Sequence, residues 1–192
     1  MAHINAIGAG MYSDLAVCLD PAVLSAVKPK IAAGTAVYAD FAGGFAAADF
    51  TANTALRITN VREFPSMGTP PNVVKVPVFG SATSQQIQGQ ADAPSMELTM
   101  NYIPADWADG TPLGNLVGDG HQYIFRFALM NSKPEGAEGY ASSATGLGAV
   151  QNSQYFWVGK IEALQVSPQL TDANKATLTI TIQSDFFGAY TV

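Results

Sequence analysis

Charge is what this chain has least of. Of its 192 residues, 9 are Lys or Arg and 15 are Asp or Glu, so charged side chains make up 12 %. The usual share is about 25 %. Apolar residues reach 48 %, and mean hydropathy is +0.15. A free monomer ordinarily carries more charge to stay dissolved. The composition therefore points to a surface covered by partners, most simply by copies of the same chain. A compact, Ala-rich monomer is the alternative, because even monomers expose much apolar area. The net charge is −6, and the basic residues are scattered singly apart from Lys28 and Lys30. That argues against a protein that grips nucleic acid, which needs clustered cations to neutralise phosphates. An acidic protein can still let DNA pass without holding it.

Cysteine is nearly absent. Cys18 stands alone, which excludes an internal disulfide and a Cys-based metal cage. It reads as a small buried hydrophobe. His3 and His121 are the only histidines, so a His-based metal site would have to recruit carboxylates from elsewhere. No uninterrupted apolar stretch approaches the ~20 residues of a membrane span; Asp40 and Asp49 interrupt the best candidate. The N-terminus lacks the cationic start and apolar run of a signal peptide, so a cytosolic site of synthesis is expected.

Catalytic motifs are also missing. Ser25-Ala-Val-Lys28 has the S-x-x-K spacing of penicillin-recognising enzymes without their partner motifs. Gly146-Leu-Gly148 lacks the later glycine of a dinucleotide loop. Gly159-Lys160 lacks the flanking residues of a phosphate-binding loop. Asp106, Asp109 and Asp119 fit no calcium-loop spacing and read as a solvated helix face. An enzyme is not expected, nor a cofactor.

What is present is alternation. In Lys175–Gln183, KATLTITIQ, Ala176, Leu178, Ile180 and Ile182 fall on one side. Lys175, Thr177, Thr179, Thr181 and Gln183 fall on the other, because successive strand side chains point to opposite faces. A polar side made mostly of threonine is wet, uncharged and high in strand propensity. Ser95–Ile103 repeats the pattern, with Met96, Leu98, Met100 and Tyr102 opposed by Glu97, Thr99 and Asn101. Ala55–Phe64 alternates and ends at Pro65. Gln122–Met130 has a bulky side of Tyr123, Phe125, Phe127 and Leu129. Gln154–Ser167 changes its apolar side partway, which predicts a bend or bulge at Gly159.

Three other stretches read differently. Residues 1–53 are rich in Ala and Gly without a long period, and predict an extended arm that packs on another surface. The arm includes a short helix opened by Asp20-Pro21 and a strand over Gly34–Phe41. Met67–Pro94 reads as a projecting hairpin or long loop, with Pro77 confining Val73–Phe79 to an edge or a hairpin arm. Pro104–Asp119 predicts a helix of about three turns or fewer, broken near Gly110 and Pro112, with Trp107, Leu113, Leu116 and Val117 buried. Residues 131–153 form a long Gly/Ser/Ala-rich connection. Neither a βαβ rhythm nor a fixed-period repeat is present, so the class is mainly β.

Taken in order, these segments resemble the major tail tube proteins of bacteriophages with long non-contractile tails. The matching parts are ALRITNVREFP, the polar projection after it, SMELTMNYIP leading to Trp107, YIFRFALM, YFWVGKIEALQVSP and KATLTITIQSDF. They cover residues 54–188 as a series; none is diagnostic alone. The resemblance implies an antiparallel β-sandwich with one flanking α-helix and a projecting hairpin. Six copies would form a ring whose inner sheets join into one β-barrel. Rings would stack into a tube around the tape measure protein, meet tail terminator and tail-tip proteins, and conduct DNA without binding it. The implied location is the virion tail, assembled in the host cytoplasm without membrane insertion.

On this reading Glu97, Thr99, Asn101, Thr177, Thr179, Thr181 and Gln183 face the bore. Met67, Pro70, Pro71, Val73, Val76 and Phe79 make contacts between rings or subunits, and residues 1–53 are an assembly arm beside a sandwich domain over 54–192. Two rivals stand beside it. One is a sugar-binding or tail-decoration sandwich presenting Tyr155, Phe156 and Trp157; the other is a tube subunit of a contractile or secretion apparatus.

Overall fold

A computed structural model describes residues 13–66, 68, 73–77, 79–80, 85–88, 95–129 and 153–191. Its strands are β1 (Asp14–Cys18), β2 (Ala55–Ile58), β3 (Val61–Glu63), β4 (Val73–Val76), β5 (Gln85–Gln88), β6 (Ser95–Asn101), β7 (Tyr123–Leu129), β8 (Ser153–Ser167), β9 (Lys175–Ile182) and β10 (Phe187–Thr191). Eight of them form one antiparallel sheet in the order β2-β1-β7-β8-β9-β6-β3, with β10 also on β8; among the described residues β4 and β5 pair only with each other. The fold is mainly β and antiparallel, as the alternation predicts.

This sheet cannot be flat. β2 and β3 sit at opposite ends of its order, about 29 Å apart at six strand spacings. Yet only Thr59 and Asn60 join them, a link whose three Cα steps reach about 11 Å. Similarly, the rings of Phe64, just after β3, and Phe127 on β7 lie 5.1 Å apart, where a flat sheet would separate their strands by about 19 Å. The sheet therefore folds over on itself into a sandwich.

Its first half holds β2, β1, β7, the start of β8 and β10. The second holds the end of β8, β9, β6 and β3. Between them lies one core: Leu15, Val17, Phe125, Phe127 and Trp157 from the first half, and Leu98, Met100, Leu178 and Ile180 from the second. Each such side chain contributes roughly 1.5–3 kcal/mol by leaving water.

β8 makes the fold-over possible. Ser153–Gly159 pairs with β7, and Gly159–Ser167 pairs with β9. A register shift falls between Ile161 and Ala163, slightly beyond the predicted site. Gly159 is where the strand changes partner. A Cβ there would lie 2.8 Å from the Thr181 carbonyl oxygen, so the residue must be glycine for the chains to approach. The predicted single strand over Ala55–Phe64 is two strands. Asn60 adopts φ 61°, a left-handed conformation that Asn tolerates, and this turn carries the chain from one half to the other.

The other face of the first half is also covered. Helices α1 (Pro21–Ala32), α2 (Tyr38–Ala42) and α3 (Ala47–Thr51) pack on it, through Val27, Phe41 and Phe50, with Phe45 from the link between α2 and α3, onto Ala16, Ile124, Phe156 and Val158. Asp20 caps α1 as predicted, its Oδ1 accepting from the Ala22 amide at 2.8 Å. Phe41 stacks on Phe156 with ring centres 5.1 Å apart. Residues 14–53 are thus integrated rather than extended. β1 pairs with both β2 and β7, and Tyr38–Ala42 is helical where a strand over Gly34–Phe41 was expected. The predicted boundary at residue 53 coincides with no structural break.

The helix predicted over Pro104–Asp119 is reduced to α4 (Pro104–Trp107) and a 3-10 turn at Gly114–Leu116. Trp107, Leu113 and Leu116 are nonetheless buried in the central core. Several short helices, rather than one, flank the sheet.

One charged group lies deep under the helices. Arg126, on the outward side of β7, is 1 % exposed. Its Nη2 donates to Asp14 Oδ2 at 3.1 Å, and Arg57 Nε lies 3.9 Å from the same oxygen. The guanidinium sits over the Phe45 and Phe50 rings at 5.0 and 5.3 Å. Burial pushes the Asp14 carboxyl upward, while Arg126 and then Arg57 pull it back. Asp14→Ala should cost about 3–5 kcal/mol, because it strands a buried cation. Asp14→Leu combined with Arg126→Met should cost less than the single change. Urea denaturation midpoints of the three chains check this ordering.

Candidate functional site

The second half of the sheet leaves one face wet. Cross-strand register sets Glu97 opposite Thr179, Thr99 opposite Thr177, and Ser95 opposite Thr181. β8 continues the face with Lys160 opposite Thr181 and Gln165 opposite Thr177. Thr99, Asn101, Thr177, Thr179 and Thr181 are half-buried, and Glu97 and Gln183 are exposed. Six of the seven predicted lining residues therefore share one face of two neighbouring strands. Gln183 follows at the end of β9, its amide donating to the Val158 carbonyl at 2.7 Å. Cross-strand Thr–Thr contacts of this kind add a few tenths of a kcal/mol to about 1 each.

Charges on this face are few and mostly paired. Lys160 Nζ lies 3.4 Å from Glu162, and Lys175 Nζ lies 3.9 Å from Asp172. Glu63, opposite Thr99, adds a second acid near Glu97. The surface is polar, hydroxyl-rich and slightly acidic.

Among the described residues both side edges of the second half are open. β3 pairs only with β6, and β8 beyond Ile161 pairs only with β9 among the described residues. On that side the Gly118 amide donates to the Ile161 carbonyl at 2.9 Å and closes the edge just at that point. Val166 is 42 % exposed and Leu170, in the β8–β9 turn, is fully exposed. These are unusual places for apolar side chains on so polar a half-sheet.

The predicted hairpin is present as the β4–β5 pair, with Val73 opposite Gln88 and Val76 opposite Gln85. Phe79 lies in the turn, fully exposed. Val76 is partly buried. Met67, Pro70 and Pro71 lie outside the described residues, as do residues 130–152.

A groove of about 630 Å³ opens between the start of α1 and the end of β9. Leu19, Pro21, Leu24 and Tyr123 form its apolar wall, and Lys28, Lys160 and His121 its rim. Cys18 also lines it, but burial pushes that thiol up to about 11, so it is protonated and a poor nucleophile at neutral pH.

The remaining motif residues are separated or structurally engaged. The Ser25 hydroxyl donates to the Pro21 carbonyl at 2.7 Å rather than meeting a catalytic partner. The Asp119 carboxylate accepts from the Tyr123 hydroxyl and from the His121 amide. Among the described residues no three His, Cys, Asp or Glu converge on a metal-sized site, and no helix is long and apolar enough to cross a membrane. His3 lies outside the described residues. Phe156 and Trp157 are fully buried and Tyr155 is half-buried, so these aromatics do not form an exposed sugar-binding platform.

Sequence reasoning missed Arg126 and the groove. Arg126 sits amid apolar neighbours in YIFRFAL, and that placement was the available signal that both faces of β7 are covered. The groove brings together residues 18–28, 120–123, 160 and 183, which no local pattern connects.

No protein-family model matches the chain, and no curated protein matches it. Among solved structures, the SPP1 tail tube, determined by solid-state NMR and cryo EM, is similar over 95 % of this chain and 80 % of that one. The TM-score is 0.49 and the identity 11 %, a likeness of overall form that carries no argument about function.

Proposed function

We propose that this protein is a tube-forming structural subunit of a bacteriophage tail. Copies join edge to edge through the second half-sheet, and its threonine-rich face lines the bore. The observation that carries the reading is the pair of open edges beside a polar face. β8, β9, β6 and β3 alternate in direction. Because their number is even, a copy related by rotation presents the end of its β8 antiparallel to β3. The junction continues the sheet without a break in pattern, and a ring of such junctions leaves no exposed edge. The interface is heterologous, the kind that closes into a ring.

The dimensions suit the task. Four strands at about 4.8 Å, tilted by ~40°, contribute roughly 25 Å of circumference per copy. A duplex about 20 Å across, with side chains on both walls, needs at least about four copies. Six, the number that the family resemblance implies, would give a bore of roughly 40 Å, wide enough for the duplex. Thr, Asn, Gln and Glu wet such a wall, and the acids repel phosphate. The tape measure protein would fill the bore before DNA does, and terminator and tip proteins would close the stack.

Negative-stain microscopy of the purified protein should show rods; isolated particles alone would defeat the reading. Thr179→Lys with Thr181→Lys should leave rods intact while DNA delivery falls, because lysines in the wall hold phosphate. Val166→Lys with Leu170→Lys should abolish rods while changing folding stability by no more than about 0.5 kcal/mol per site. Sedimentation and thermal melts of the same sample check that prediction.

A further inference from the structure

The β4–β5 hairpin pairs only with itself among the described residues, and a lone two-stranded hairpin is marginally stable in water. At its turn Phe79 is fully exposed. A Phe ring has roughly 150–250 Å² to bury, and among the described residues this one buries none of it. Both features call for a receiving surface on another molecule.

The topology indicates which one. After β3 the chain passes Pro65 and Ser66, which line a depression together with Ser95, Glu97 and Ile182. The hairpin is therefore rooted at the end of the second half-sheet where Ser95, Thr181 and Lys160 stand in register, on the β3 side. The groove walled by Leu19, Leu24 and Tyr123 lies at the same end but on the β8 side, with Lys160 on its rim. When β3 of one copy meets β8 of the next, the root of the hairpin arrives beside that groove. From Ser66 to Phe79 the chain can extend about 40 Å, so reach does not limit the contact.

We propose that Phe79 of each copy seats in the groove between α1 and β9 of its neighbour in the same ring. The inference rests on the edge-to-edge ring proposed above. The occupant is a second copy of this chain, whose turn offers an aromatic anchor for the wall of Leu19, Pro21, Leu24 and Tyr123 in a groove of about 630 Å³ that polar side chains otherwise line. Another cavity is lined by Ser13, Asn60 and Phe64. It lies at the opposite end of the half-sheet and would receive the hairpin only between rings.

The test replaces Phe79 with benzoylphenylalanine, which keeps the aromatic bulk, and irradiates assembled rods. Crosslinks should map to residues 19–28 or 120–123, and on denaturing gels the ladder should stop at the number of copies in one ring. Crosslinks at Ser13 or residues 58–64, or a ladder that runs on without limit, overturn the proposal in favour of contact between rings. Rods of the unsubstituted chain give a second reading. Amide exchange at Leu19, Leu24 and Tyr123 should slow about tenfold on assembly, and unchanged exchange there overturns the proposal even where the substituted chain fails to assemble. A wild-type chain that forms no rods at all defeats the ring itself, a result scored separately by microscopy.

Discussion

Everything in this molecule hangs on one strand being shared by two layers. β8 runs for 15 residues, far beyond the usual strand of about 5–6. Its first half is held by β7 on one side and β10 on the other, and its second half by β9. Such a strand must satisfy two environments. Where helices cover one face and the central core the other, side chains on both faces are buried. Phe156, Trp157, Val158 and Gly159 accordingly run together without alternation, as in sheets packed on both sides. Past the bulge after Ile161 one face is open, and exposure increases toward Ser167. β9 and β10 trail along the same side, separated by a short excursion in which the Ser184 hydroxyl accepts from the Val158 amide at 2.9 Å. That side chain fills the gap in the ladder, so the backbone of β8 stays satisfied where it passes from one layer to the other.

The same two environments decide what could be read from residues alone. β6 and β9 are legible because each has one wet face and one dry face, so period-two alternation survives in SMELTMN and KATLTITI. β1 is not. All five residues of DLAVC are buried, and a strand covered on both faces shows no period to find. The helices fail differently: α2 and α3 have five residues each, too few for helical periodicity to emerge from an Ala-rich background. They form because Phe41, Phe45 and Phe50 have the first half-sheet to pack on. Short helices in general owe their stability to tertiary packing rather than propensity. Seen as a sequence, that region is an arm in need of a surface; the surface turns out to be its own sheet. The break at Asn60 was equally hidden, since alternation continues through it and only the left-handed backbone marks the change of layer.

The polar face explains why a chain so poor in charge can still have a wet wall. Threonine is β-branched and favours strands, and its hydroxyl binds water without fixing a counterion. Lysine would wet the wall equally well, but a row of lysines along a passage for DNA would exchange counterions for phosphates at every step. Glutamate alone would repel the cargo and also strain the sheet with like charges directly across from one another. The observed mixture sets Glu97 opposite a threonine rather than another acid, which avoids both costs. The cross-strand arrangement is a property of the fold as observed; its orientation toward a bore, and any advantage for passing DNA, belong to the proposed assembly.

Charge scarcity and open edges are then two aspects of one design constraint. A strand edge that must join a neighbour cannot carry the lysines and prolines with which monomeric sheets discourage pairing. Beyond Glu162 the free edge of β8 runs Ala163-Leu-Gln-Val-Ser167 without a charge. The β3 edge is three residues long and two of them are charged: Arg62 is held in an ion pair with Asp172 at 3.0 Å, directed to the turn before β9, and Glu63 is exposed, so the bare edge is that of β8. An edge left this bare invites random pairing unless something selects the register. The hairpin supplies that selection in the proposed ring. A neighbour shifted by even one residue along β8 would move the root of the hairpin about 3.3 Å relative to the groove and turn every side chain of the joining strand to the wrong face. An anchored Phe79 would thus do for β3 what length and alternation do for β9: it would leave one register as the only comfortable one.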